Sequence, residues 1–499
     1  MAEALLAHMP ALAVVVPLVA APIAFLAGAR WGRPVALVAS ALSVPVAFAL
    51  AWLVSAEGEK LRYQIGGWEA PLGIGLVVDG LSATMLLVTA VVGFAVTVYS
   101  LGYFADKERY RFFWALWLFL LASMAALFLS ADVFNLYVCL ELVSVSAVAL
   151  VGLSGQRDAL VAAMRYMLAA ILGSIFYLLG VALLYGAFGV LDLAHLAAVL
   201  GPDVTGQAAF ALITVGLVLK TALFPAHFWL PPAHANAPSP VSAVLSALVV
   251  KGSFYILLRL WTDVGDPSYV PGMGTLLGVL GAMAIVWGSV QALLQERLKM
   301  LVAYSTVAQI GYLFLLFPLV EIAGSHVVDA WSAGVFHAVS HALAKSAMFL
   351  AAGAVLSRFG HDRIDGLGGL SRRAPVTTMA FGLSGITMMG LPPSGGFVVK
   401  WLYITAAIES GAWWWAIVVL AGGLLAAGYV ARVVVPGFAK ARDDASDLDV
   451  DAGRLPRRME FAALALALAA LALGVLGQPV LDLMAVGSPA SGVIPWTGQ

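Results

Sequence analysis

Long apolar runs separated by short polar connections repeat along the 499-residue chain. A helix needs about 20 mainly apolar residues to cross the hydrocarbon core of a bilayer. The runs therefore predict about fourteen transmembrane helices, over 8–29, 34–55, 76–101, 111–130, 133–153, 161–188, 206–224, 239–262, 272–294, 300–320, 329–356, 375–408, 412–438 and 459–478. No stretch outside them is expected to form a soluble domain. The longest polar segment, 440–458, carries Asp443, Asp444, Asp447, Asp449 and Asp451 ahead of Arg454, Arg457 and Arg458. It reads as a solvated linker between two spans, and the fold class is an all-α polytopic membrane protein.

Two of the runs are broken. The seventh passes from Lys220 and Thr221 into Phe224-Pro225, then through His227 to Pro231, Pro232 and His234, before Pro238 and Pro240 open the next helix. Pro225 cannot donate to the carbonyl of Thr221, so an unpaired acceptor is expected beside the lysine. The twelfth run is interrupted by Gly390-Leu391-Pro392-Pro393-Ser394 and resumes toward Lys400. Irregular backbone at membrane depth is tolerated where it is buried in protein or lines a wet cavity, although an ordinary proline kink is the alternative for either break taken alone. The breaks lie five helices apart. If helices four to eight and nine to thirteen are equivalent, the odd count requires the second unit to be inverted. The predicted division is then 1–105 for helices one to three, 106–265 and 266–440 for the two five-helix repeats, and 441–499 for the linker, the last helix and the tail.

Charge sharpens the class. Hydrophobic residues make up 62% of the chain and charged residues 11%, against about 25% charged in soluble domains. A net charge of −1 with no basic run argues against nucleic acid. Cys139 is the single cysteine, so no internal disulfide forms, and no spaced Cys/His cluster or Gly-rich nucleotide loop is present. No cofactor, no metal and no redox chemistry of the chain's own are expected. Loops after odd-numbered helices hold eighteen Lys and Arg, including Arg30, Arg33, Lys107, Arg109, Arg297, Lys299, Lys440 and Arg442; those after even-numbered helices hold Lys60 and Arg62. The positive-inside rule then places both termini outside a cell (inner) membrane.

Against this background the charges inside the spans are candidates for function. Half of the lysines, Lys220, Lys251, Lys345 and Lys400, fall inside apolar runs, while arginines keep to loops or span ends. A desolvated lysine can release its proton and an arginine in practice cannot, which points to proton handling. Glu141 is the one acid near the middle of a span, with Ser144 one turn on, and is the natural partner for Lys220; a static buried ion pair is the alternative. His337, His341 and Lys345 recur at i, i+4 and i+8, on one helical face with Ser340 nearby. This stripe can relay protons. A zinc site would need a third ligand or an HExxH pattern, and neither accompanies it.

The stretch Lys220 to His234, followed by Ala237-Pro-Ser-Pro-Val-Ser-Ala243 and Lys251, resembles the signature of the antiporter-like subunits shared by Mrp-type multisubunit cation/proton antiporters, respiratory complex I and membrane-bound hydrogenases. Asp79-Gly-Leu-Ser82, Glu141, Lys299 to Thr306 with Gln309-Ile-Gly-Tyr312, His337 to Lys345, Gly390-Leu-Pro-Pro393 and Gly396 to Lys400 agree in order. The resemblance implies a first-channel pair of Glu141 and Lys220, a connecting Lys251, a central relay from His337 to Lys345 and a second-channel terminus at Lys400. It also implies partner membrane subunits, with H⁺ moved and Na⁺ as an open second ion. Leu140 stands where the family commonly has Trp, Pro231-Pro232 where many members have Pro-Asp, and Arg165-Tyr166 where Lys-Tyr is frequent. Length favours an Mrp D-like chain, with a proton-pumping subunit of complex I (NADH:quinone oxidoreductase) or of a hydrogenase as the alternative. An intramembrane metallohydrolase built on His337 and His341, and a scaffold whose charges only bind neighbours, are the readings from other classes.

Overall fold

The computed structural model describes residues 6–68, 73–104, 110–201, 203–265, 270–322, 327–439 and 455–488. Lys107, Arg109, Lys440, Arg442, Arg454 and the acidic run 443–451 lie outside them. All fourteen predicted segments contain helix. The first two, α1 (9–27) and α2 (29–57), meet at Gly28, whose φ of 70° interrupts the helical path. Ala13 and Pro17 share a small cavity with Ser43 and Ala47. In one straight helix Ala13 and Ala47 would stand about 50 Å apart, so the two arms run antiparallel. A short antiparallel hairpin follows, β1 (Leu61–Gln64) with β2 (Gly75–Val78), pairing Leu61 with Val78. It adds a small sheet to the expected all-helical chain; alternation at four residues is too brief a signal to read from the sequence.

The remaining helices of the predicted segments are α3 (Gly80–Tyr103), α4 (Phe113–Leu129), α5 (Val133–Val151), α6 (Arg157–Phe188), α7a (Val204–Thr221), α7b (Leu230–Asn236), α8 (Ser239–Val264), α9 (Met273–Leu294), α10 (Leu298–Ile322), α11 (Val327–Phe359), α12a (Pro375–Met389), α12b (Gly395–Glu409), α13 (Trp414–Phe438) and α14 (Arg457–Ala472), with short helices Leu193–Val199, Leu370–Arg373 and Gln478–Ala485 between or after them. Among the described residues, ten helices are long and apolar enough to cross a membrane, with 9–57 counted once. The chain is thus a multi-pass, helical membrane protein. The ten fall short of fourteen because α1 and α2 run together, α4 and α14 are short, and the twelfth segment is split.

Leu-, Ala- and Val-rich helices satisfy their own backbone groups, so they can occupy hydrocarbon, and polar caps start several of them. Asp79 accepts from the Ser82 amide at 2.9 Å and Ser82 Oγ accepts from the Asp79 amide, a reciprocal capping box at the head of α3. Asp132 caps α5 through the Asn135 amide, and Asp203 caps α7a through Gly206. In the assembled bundle α6 lies along α7a, and α11 lies along both halves of α12 and against α14. The apolar windows of α8 and α11 are almost wholly buried, whereas α1 and α2 are largely exposed. Two π-helical turns, Leu245–Val249 and Leu260–Val264, flank the α-helical stretch of α8 that carries Lys251.

Candidate functional site

Both breaks are present, and the first begins earlier than proline alone requires. Helix α7a ends at Thr221, and Ala222 turns left-handed at φ 60°. The residue before a proline avoids helical geometry, and Pro225 has no N–H for the Thr221 carbonyl, so the helix gives way ahead of the Phe224-Pro225 unit. Trp229 repairs part of the frayed end by donating its indole N–H to the Leu219 carbonyl at 3.0 Å, while its ring stacks on Tyr166 at 4.2 Å. In the twelfth segment α12a ends at Met389, Gly390 turns left-handed at φ 78°, and Ser394 caps α12b. Pro392 and Pro393 lie exposed on the loop between them.

Lys220 occupies the last turn of α7a, where a cation suits the negative end of the helix dipole. Its ammonium donates to Glu141 on α5 at 2.6 Å and to Ser144 Oγ at 3.0 Å. Ser174 of α6 donates its hydroxyl to the same carboxylate. The side chain of Lys220 is 4% exposed and that of Glu141 27%, so the base is interior and the acid lies at the edge of the bundle. The next link is a pair of hydroxyls: Thr221 donates to Ser253 of α8 at 2.8 Å. Neither hydroxyl bonds a lysine, yet Thr221 follows Lys220 in the chain and Ser253 lies two residues from Lys251.

Lys251 is fully buried and donates to the Ser246 carbonyl at 2.5 Å. Its Nζ also contacts Nδ1 of His341 on α11. An ammonium can donate to a neutral imidazole there, or a neutral amine can accept from it, so either group can own the proton between them. The His341 ring lies 5.5 Å from that of His337, which contacts the Gln309 carbonyl through Nε2 at 3.0 Å. Tyr312, 5.5 Å from His337 between ring centres, carries the Lys400 ammonium 5.3 Å from its own centroid. Lys400 in turn donates to the carbonyls of Met388 and Met389, at 3.2 and 2.5 Å, at the free C-terminal end of α12a. Lys345 branches off, bonding Ser305 Oγ and the Val302 carbonyl of α10.

Other predicted residues stand apart from these contacts. The His227 ring stacks on Phe224, 5.4 Å between centroids. His234 is fully buried and stacks on Phe349. Ser340 is buried beside His341 on α11.

Three further charged groups are more deeply placed than hydropathy predicts. Lys299, by sequence a loop cation, is buried at the start of α10 and donates to the Ala237 carbonyl at 2.6 Å. Arg259 on α8 is buried as well, and its guanidinium grips Asp79 at 2.5 and 2.6 Å and Asp263 at 2.9 Å. Asp79 stands out in the sequence only as part of a motif. Arg259 lies eight residues after Lys251, hence near the same face of α8, and that spacing is the one signal the sequence offers for it.

Among the described residues, no group of three or more His, Cys, Asp and Glu side chains is arranged to hold a metal. The arrangement is a line of buried amines, imidazoles and hydroxyls, broken into short hydrogen-bonded links, across one bundle.

The family model for the membrane region of NADH:quinone oxidoreductase and Mrp antiporters matches residues 130–426. The model for the N-terminus of chain 5 of NADH-ubiquinone oxidoreductase (complex I) matches 65–113. The N subunit of NADH-quinone oxidoreductase from Desulforudis audaxviator is 36% identical over 87% of this chain and 87% of its own length. The D subunit of the Na(+)/H(+) antiporter from Bacillus subtilis is 28% identical over 80% of each chain. A chain of the solved Mrp complex from Dietzia sp. superposes with a TM-score of 0.87 at 26% identity, covering 99% of this chain and 98% of that one. The chain therefore belongs to the antiporter-like family shared by the D subunits of Mrp antiporters, the N and L subunits of complex I, and related respiratory membrane complexes.

Proposed function

We propose that this chain moves protons across a cell membrane as one component of a multisubunit Mrp-type cation/proton antiporter, in the D position. The observation that carries the reading is the buried line from Glu141 and Lys220, through Lys251, His341 and His337, to Lys400. A purely structural role does not account for four lysines at membrane depth, since each costs several kcal/mol to place there. Titratable groups held near one another gain and lose protons in turn, because the charge of each sets the affinity of the next.

In this reading the chain crosses the membrane fourteen times, with both termini external. Residues 106–265 and 266–440 are two inverted five-helix units. The packing of α6 along α7a, repeated by α11 along both halves of α12, supports that equivalence. The break after Lys220 opens one half-channel and the break before Lys400 the other, with Lys251, His341 and His337 joining them. Full-length similarity to the Mrp complex supports the antiporter assignment. The 36% identity to an N subunit of complex I favours a second reading, a proton pump powered by a redox partner. In both, other membrane subunits supply the coupling.

Dissipation of a pH gradient in inverted vesicles carrying the native assembly separates these readings. Dissipation on adding Na⁺ supports antiport. A requirement for NADH assigns the chain to a respiratory complex, and flux that survives Lys220→Ala and Glu141→Ala defeats both.

A further inference from the structure

An open apolar groove lies apart from the buried line, walled by α1, α4 and the end of α5. Leu18 and Phe25 form one wall, Ala115 and Phe119 the other, with Leu153 at the end, enclosing about 960 Å³ of apolar space. At its mouth Phe25 and Phe112 stack with centroids 5.7 Å apart. Leu18 to Phe25 and Phe112 to Phe119 each rise by about 10 Å along their helices. That is the depth of part of one leaflet of a hydrocarbon core about 30 Å thick. A partner's spanning helix would need the full thickness, whereas an acyl chain needs one leaflet.

The end of the groove is cationic. The Arg111 guanidinium sits 4.5 Å from the centre of the Phe112 ring. Arg30 follows Phe25 just past the Gly28 turn, and Arg157 follows Leu153; all three arginines are exposed. Asp158 follows Arg157 and offsets one of these charges, so the described side chains at this end sum to a positive rim. Apolar walls of leaflet depth beneath an arginine rim complement acyl chains beneath a phosphate. We propose that the groove binds one anionic phospholipid, its chains along α1 and α4 and its phosphate at Arg111 and Arg30.

Native mass spectrometry of the purified assembly, titrated with palmitoyl-oleoyl phosphatidylglycerol or the matching phosphatidylcholine, tests this. The wild type is expected to retain one more phosphatidylglycerol than Ala115→Trp, which fills the groove. Arg111→Gln leaves the walls intact and should weaken phosphatidylglycerol binding by about fivefold, the effect of one cation near an anionic headgroup, while leaving phosphatidylcholine unchanged. Equal retention of the two lipids by the wild type, or equal phosphatidylglycerol binding by wild type and Arg111→Gln, overturns the proposal. So does a cross-link from Ala115→Cys to another subunit. If Ala115→Trp fails to assemble, the Arg111→Gln comparison decides the matter.

Discussion

The guanidinium of Arg259 holds both carboxylate oxygens of Asp79, at 2.5 and 2.6 Å, and so ties the capped head of α3 to the end of α8. Both side chains are buried; removing Arg259 strands the Asp79 charge, and removing Asp79 leaves Arg259 with Asp263 alone and takes the cap from α3. Asp79→Ala or Arg259→Ala should therefore cost about 3–5 kcal/mol, read as a lower midpoint for heat-induced loss of the monodisperse assembly. The double variant should lose less than the sum of the singles. Single variants with unchanged midpoints would show that the pair contributes nothing to stability.

Glu141→Gln keeps the shape of the carboxylate and removes its charge, while Ser174 can still donate to the amide oxygen. With the Lys220 ammonium deprived of its counter-charge, proton flux should fall at least about tenfold, the effect of 1.4 kcal/mol, with assembly preserved. Glu141→Asp retains charge and shortens the reach, and an intermediate rate is expected. Vesicle flux at matched expression measures both, and wild-type flux in Glu141→Gln would remove this pair from the pathway.

Gly390 offers a controlled test of where Lys400 must stand. A Cβ there would come within 2.9 Å of Lys400 Cε and 3.0 Å of its Nζ, at a φ of 78°. Gly411 has a similar φ of 74° and open space around it. Both Gly→Ala changes bear the left-handed penalty of about 1–2 kcal/mol, but only Gly390→Ala displaces the ammonium. Flux should drop in Gly390→Ala and stay near wild type in Gly411→Ala; equal flux in the two would mean that the position of Lys400 is unimportant.

Lys400 also serves the Met388 and Met389 carbonyls at the end of α12a. Lys400→Arg retains a donor and a cation but holds its proton at any working pH. Lys400→Met removes both donor and charge. The arginine variant is expected to match wild-type thermal stability with flux abolished, and the methionine variant to lose both. Flux sustained by arginine would argue against proton release at this residue.

The membrane class and the order of the helices were legible because hydrocarbon imposes one strong rule, that spans be long and apolar, and this chain obeys it. The candidate charges were legible for the same reason: Glu141, Lys220, Lys251, Lys345 and Lys400 are conspicuous in apolar runs. Their partners were less so. Ser174, Thr221, Ser253 and Ser305 are ordinary hydroxyls, and helix rotation rather than composition decides which of them face a lysine. Lys299 and Arg259 sit near helix ends, where hydropathy cannot separate a solvated cation from one folded inward. The early end of α7a at Thr221 depends on the Phe224-Pro225 unit and Ala222 together, and only the proline announced itself.

Glu141 remains over a quarter exposed while the base it neutralises is sealed inside. Whatever covers that flank of α5, lipid or neighbouring subunit, therefore sets the dielectric around the acid and with it the hold on the Lys220 proton. A change at the periphery can be felt as a change of proton affinity in the interior without any movement of the helices between them. On this arrangement the Glu141–Lys220 pair is open to tuning from outside the chain.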